Sequence, residues 1–109
     1  MYDYKDLYVM DFTNVKYYLE MHNVIRKSLD FPDYYGRNWD AFWDCLTDMY
    51  GDPIHIEIIG IEVIERKFGN AAEKMIGILK EFKRDWDRFI LGRVKIEILR
   101  EDGTVTVVD

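Results

Sequence analysis

A single cysteine, Cys45, rules out an internal disulfide and any cysteine-based metal cluster. The two histidines, His22 and His55, have no second histidine or cysteine nearby in sequence, so no metal site is expected and no cofactor is implied. Gly-rich phosphate loops, serine nucleophile elbows, zinc-binding patterns, internal repeats and low-complexity linkers are all missing, which leaves no catalytic residue to name. No apolar run approaches the length of a membrane span, and Met1 to Met10 lacks the basic start and apolar core of a signal peptide. A cytoplasmic location with no membrane partner is the expectation. Positive charge is also short: 15 Lys and Arg against 21 Asp and Glu give a net charge of −6. A phosphate backbone needs a basic surface, so nucleic acid is not expected to bind, whereas a basic protein suits an acidic one.

What is present is a hydrophobic fraction of 49% and an aromatic fraction of 16%, the make-up of a folded chain. At 109 residues it reads as one domain, 1–109, with a single core. The chain is organised around the stretch from Phe31 to Asp48. Pro32 drives Phe31 toward extended backbone, Gly36 supplies a permissive position, and Asn38 is a good N-cap for the periodic run after it. Trp39, Phe42, Leu46 and Met49 form an apolar helical stripe with Cys45 on its flank, where a small core hydrophobe is expected rather than a nucleophile. Asp40, Asp44 and Thr47 share another face at i, i+4, i+7 spacing, and Trp43 projects between the two. Like charges at i, i+4 repel, so this row costs the isolated helix a few tenths of a kcal/mol. Tyr34, Tyr35 and Trp43 set large aromatics beside the acids, a composition suited to an interface with a basic partner.

Around this segment, Leu7 to Phe12 reads as a first strand, followed by a helix capped by Thr13 or Asn14 with Val15, Tyr18, Leu19, His22, Ile25 and Leu29 inward. Gly51-Asp52-Pro53 breaks the central helix and opens an isoleucine-rich strand, Ile54 to Ile59, with Ile54, Ile56 and Ile58 on one face. His55, on the other face, has no visible partner. Ile61 to Phe68 forms a short helix ended by Gly69-Asn70. Ala71 to Phe89 forms a longer one with Ala72, Met75, Ile76, Leu79, Phe82, Trp86 and Phe89 inward, tolerating Gly77. Gly92 ends that region, Val94 to Leu99 is a third strand, and Glu101-Asp102-Gly103 turns the chain into a return strand over Thr104 to Val108. The strand and helix alternation defines an α/β fold.

The central segment resembles the barstar family, intracellular protein inhibitors of barnase-type ribonucleases. Tyr34-Tyr35-Gly36, Asn38, Asp40-Ala41 and Trp43-Asp44-Cys45-Leu46-Thr47 stand as in that family, after equivalents of Pro32 and Asp33. Element order and spacing extend the likeness from about Leu7 to Leu99. The resemblance implies a three-stranded parallel sheet flanked by helices, to which this chain adds a C-terminal antiparallel edge strand. It also implies a basic secreted ribonuclease as a one-to-one partner. Tyr34, Tyr35, Gly36, Asn38, Asp40, Trp43, Asp44 and Thr47 would bind it, with Glu81 joining from the long helix. Three departures stand out: Arg37 replaces a glutamate, Trp39 and Phe42 replace smaller aliphatics, and the hairpin continues past the third strand. Arg37 is expected to pair with Asp33 or Asp40, or else to face an acidic rim on the target.

Two other readings stay open. An acidic binding or immunity module for a different basic toxin or nuclease would use the same surface. A hydrolase would need Asp40, Asp44 and Glu81 as one carboxylate cluster.

Overall fold

The computed structural model describes residues 5–49, 53–88 and 94–109. Four strands form one sheet in sequential order: β1 (Tyr8–Asp11), β2 (Ile54–Ile59), β3 (Val94–Leu99) and β4 (Val105–Val107). β1, β2 and β3 are parallel, and β4 returns antiparallel to β3. Helices α1 (Tyr18–Ser28) and α2 (Trp39–Thr47) make the first crossover, and α3 (Ile61–Lys67) and α4 (Ala71–Asp87) make the second. The expected α/β architecture, three parallel strands with an antiparallel C-terminal edge, is the one observed.

Period-2 alternation decides which side of the sheet carries the core. Tyr8, Met10, Ile54, Ile56, Ile58, Val94, Ile96 and Ile98 are buried. Their neighbours Val9, Asp11, His55, Glu57, Ile59, Lys95, Glu97 and Leu99 are half-buried or exposed. The helices therefore cover one face, and the other faces solvent. Met21, Ile25, Leu29, Phe42, Leu46, Met75, Leu79 and Phe82 complete the core from the helical layer. Trp39, Ile76 and Trp86, expected inward, lie half-buried at its margin. Phe89, Gly92, Gly51 and Asp52 lie outside the described residues.

α1 differs from expectation in its start and its phase. Neither Thr13 nor Asn14 caps it: the backbone N–H and hydroxyl of Thr13 both donate to the Asp11 carboxylate (2.9 and 2.5 Å), closing a turn after β1. The helix begins at Tyr18, where Glu20 reaches back to accept from the backbone N–H of Tyr17 (2.9 Å), one half of a capping box. Leu19 is exposed and Tyr18 is partly so, whereas Met21 is fully buried. The buried arc centres between Met21 and His22, which leaves Leu19 roughly 100° off it. Tyr18 stays in phase but sits in the first turn, edge-on to His22 and Phe68.

The β3–β4 hairpin is clamped to α3 by charge. Glu62 accepts the backbone N–H of Glu101 (3.0 Å), a bond that holds its carboxyl below the usual range, and Arg100 lies 3.2 Å from Glu65. Val108 then donates to the Ile96 carbonyl (2.9 Å) and is buried.

Two glycines contrast. Gly60 joins β2 to α3 with φ +77°, and a Cβ there would lie 2.6 Å from the Thr13 backbone nitrogen. Gly77 is exposed within α4, and a Cβ there would meet nothing within 4 Å. Gly77→Ala is expected to raise unfolding free energy by about 1 kcal/mol, whereas Gly60→Ala should lower it by about 2 kcal/mol or more. Urea denaturation of the two variants checks the opposite signs.

Candidate partner-binding surface

The loop between α1 and α2 is anchored from inside. Asp30, at φ 58°, turns the chain out of α1, and Phe31 donates to the Arg26 carbonyl (2.9 Å). Phe31 is buried against Tyr35 and Phe42, with ring centroids 5.5 and 6.3 Å away. Tyr35 closes a turn on the Pro32 carbonyl and sends its side chain inward, where its hydroxyl meets His22 Nδ1 at 2.8 Å. His22 is fully buried and Trp39 packs over it at 4.7 Å. Burial, aided by the nearby Arg37 guanidinium, pushes the His22 pKa down to about 4, and burial pushes the Tyr35 hydroxyl up. What Tyr35 presents outward is therefore backbone rather than ring.

The sequence before α2 ends that loop with a working cap. Asn38 Oδ1 accepts the Ala41 backbone N–H (2.8 Å), and its amide donates to the Gly36 carbonyl (3.1 Å). The expected backbone freedom appears at Arg37, with φ 51°, while Gly36 avoids left-handed geometry and lies close under the Asn38 amide. Beyond the cap, Phe42, Cys45, Leu46 and Met49 are buried as expected, and burial raises the Cys45 thiol pKa, as suits a packing residue.

Asp40 and Asp44 are exposed on the outer face of α2. Neither has an ion-pair partner among the described residues, so no described cation offsets their repulsion. Asp48, exposed at the C-cap, extends the row by one further turn and was not singled out from sequence, although its i+4 spacing from Asp44 was the available signal. α2 has no basic residue in its last turn, so Asp44 and Asp48 also oppose the helix dipole. Tyr34, in the loop that leads into α2, is 82% exposed, and Trp43 is half-buried with its side chain packed on the core. The Thr47 hydroxyl turns back to donate to the Asp44 carbonyl (2.7 Å). Glu81 is exposed on α4, the helix against which α2 packs.

Arg37 does not pair as one expectation had it. Asp33 bonds Arg26 instead (3.1 Å), and Arg37 is exposed with no ion pair among the described residues. Asp40, Asp44 and Glu81 do not bring their carboxylates together as a set that could hold a metal ion. His55 does have a partner: its Nε2 lies 2.6 Å from Glu97 Oε1 across the β2–β3 register. That contact was invisible in sequence because 42 residues separate the pair.

A small two-layer α/β protein with an acidic and aromatic loop and helix on its covered side defines the class. The chain belongs to the barstar family: the family model described as Barstar (barnase inhibitor) matches residues 6–103. It is 35% identical over 75 residues to a Bacillus subtilis (strain 168) protein named "Putative ribonuclease inhibitor YrdF", a match covering 69% of this chain and 79% of the relative. β4 lies beyond the residues that the family model matches.

The buried His22 makes stability depend on acid. Unfolded, it takes a proton near pH 6.5; folded, only near 4, so its contribution is complete above pH 6.5 and is lost progressively down to pH 4. Between pH 7 and 5 this group alone should lower unfolding free energy by about 2 kcal/mol. Urea titrations of the parent and His22→Gln at both pH values should show a smaller drop in the variant. An equal drop would mean that His22 is not neutral in the fold.

Proposed function

We propose that this chain is a protein inhibitor of a barnase-type ribonuclease and not an enzyme, acting by lodging carboxylates where the RNA backbone would sit. The observation that carries this reading is the pair Asp40 and Asp44, exposed and without an internal cation among the described residues, on a helix capped by Asn38 and preceded by a loop that exposes Tyr34. Membership of a family described as barnase inhibitors, and a relative whose name denotes a ribonuclease inhibitor, support it.

The physical scheme is charge replacement with exclusion. A ribonuclease must hold phosphate through arginine, lysine and histidine, so its cleft is a concentrated positive field. Asp44 accepts charge-assisted hydrogen bonds from that cluster, bidentate where an arginine faces it, and Asp40 stands one turn away. Tyr34, the edge of Trp43 and the backbone at Tyr35 and Gly36 cover the catalytic groups and keep RNA and water out. Asn38 holds the loop to the helix, and Thr47 and Glu81 lie at the margin. The net charge of −6 speeds encounter with a basic protein. Binding is one-to-one with a secreted ribonuclease, and the chain itself acts in the cytoplasm.

Arg37 favours a particular kind of target. An exposed guanidinium with no ion pair among the described residues, ahead of the acidic row, would be repelled by a uniformly basic surface, so the cognate protein carries an acidic group at the rim of its cleft. The same surface would serve against a basic toxin of another chemistry. A ribonuclease assay separates the two: capture of a basic protein whose RNA cleavage is unaffected by this chain would refute ribonuclease inhibition.

Asp44→Ala is expected to raise the dissociation rate of the complex most, whereas Glu81→Ala should chiefly slow association in a salt-dependent way. Surface plasmon resonance at two ionic strengths reads both, and small equal losses would contradict the scheme. In the free protein, Asp44→Asn should leave stability unchanged or raise it by a few tenths of a kcal/mol, because like-charge repulsion and an unfavourable dipole contact are removed. Thermal melting of the unbound variant therefore distinguishes lost binding from lost folding.

A further inference from the structure

The face of the sheet turned away from the helices carries a group of side chains that inhibition of a nuclease does not use. The strand registers align Val9 of β1, Glu57 of β2, Glu97 of β3 and Val107 of β4 in one row across the sheet. Two glutamates thus stand directly opposite each other on adjacent strands, flanked on both sides by valine. Like charges in that arrangement destabilise a sheet. Neither carboxylate is fully exposed, Glu97 showing only 19% of its side chain to solvent. His55, two residues before Glu57 on the same face of β2, puts Nε2 2.6 Å from Glu97 Oε1.

We propose that His55, Glu57 and Glu97 bind one divalent transition-metal ion of the zinc type. One ligand atom from each residue lies within 4.8 Å of the other two. Zinc takes imidazole nitrogen and carboxylate oxygen at about 2.0–2.2 Å, so ligand atoms around it are roughly 3.0–3.5 Å apart, and small rotamer changes reach that spacing. An imidazole with two carboxylates suits zinc better than magnesium, which favours all-oxygen sites that retain water. The ion would neutralise the opposed glutamates, and water would complete its shell on the open side. Lys95 is the competing cation, with Nζ 4.0 Å from Glu97 Oε2. Its side chain is 59% exposed and on a flexible stem, so it can withdraw into solvent.

The three ligands come from the two central strands, which are rigid and paired along six residues. The site lies across the sheet from α2, so its occupancy and the nuclease-binding reading stand or fall separately.

Isothermal titration of the chelator-treated full chain with zinc chloride tests this, with magnesium chloride as the control. The expected result is one zinc per chain, a raised melting temperature with zinc alone, and more than about tenfold weaker binding in Glu57→Gln and in Glu97→Gln. Glu57→Gln should melt no lower than the parent when metal-free, since it relieves the repulsion between the carboxylates and leaves the contact of His55 with Glu97 in place. If either variant fails to fold, NMR of the histidine rings in the unsubstituted chain decides: zinc should move the His55 signals and leave those of buried His22 in place. No zinc uptake, uptake unaffected by the substitutions, or ring signals of His55 that ignore zinc would overturn the proposal.

Discussion

The buried hydrogen bond between Tyr35 and His22 is the contact on which the acidic surface depends. It joins the middle of a loop to the middle of α1, with Phe31 and Trp39 packed on either side. A loop that would otherwise be free to sample many shapes thereby has its backbone held from below, and the entropy of ordering it is lost during folding rather than on meeting a partner. The arrangement requires a neutral imidazole, because a protonated ring in that dry setting would carry an unsolvated charge next to Arg37. Loop geometry and acid sensitivity therefore share one cause.

The second feature is a helix that opposes its own stability. α2 concentrates Asp40, Asp44 and Asp48 along one side, with no basic residue in its last turn. A helix optimised for folding would place cations there, and the pairing of Asp33 with Arg26 shows that the chain supplies internal partners to acids nearby. Asp40 and Asp44, without an ion pair among the described residues, cost this well-capped helix a little stability, and the proposed inhibitory role is what would make use of them.

The architecture leaves both sides of the sheet with different duties. Sequential parallel strands joined by helical crossovers place all four helices on one layer, so the buried face is apolar throughout and the other retains histidine, lysine and glutamate. β4 lengthens that open face beyond the residues matched by the family, and it is held in place by the Arg100, Glu62 and Glu65 contacts with α3.

Sequence alone was enough for the elements whose signals are local. Alternating isoleucines marked β2, the i, i+3, i+7 stripes marked the inner faces of α2 and α4, Asn38 marked a cap, and Glu101-Asp102-Gly103 marked the hairpin. Each depends on neighbours within one or two turns, and the barstar-like segment is contiguous for the same reason. Tertiary structure decided what depends on distant groups. The inward course of the Tyr35 ring comes from His22, the loss of Thr13 as a cap comes from Asp11, and the phase of α1 comes from the core it meets. The pairing of His55 with Glu97 comes from strand register. A hydrogen bond or a like-charge contact acts over a few ångströms of space, and chain order does not reveal which residues the fold will bring within that range.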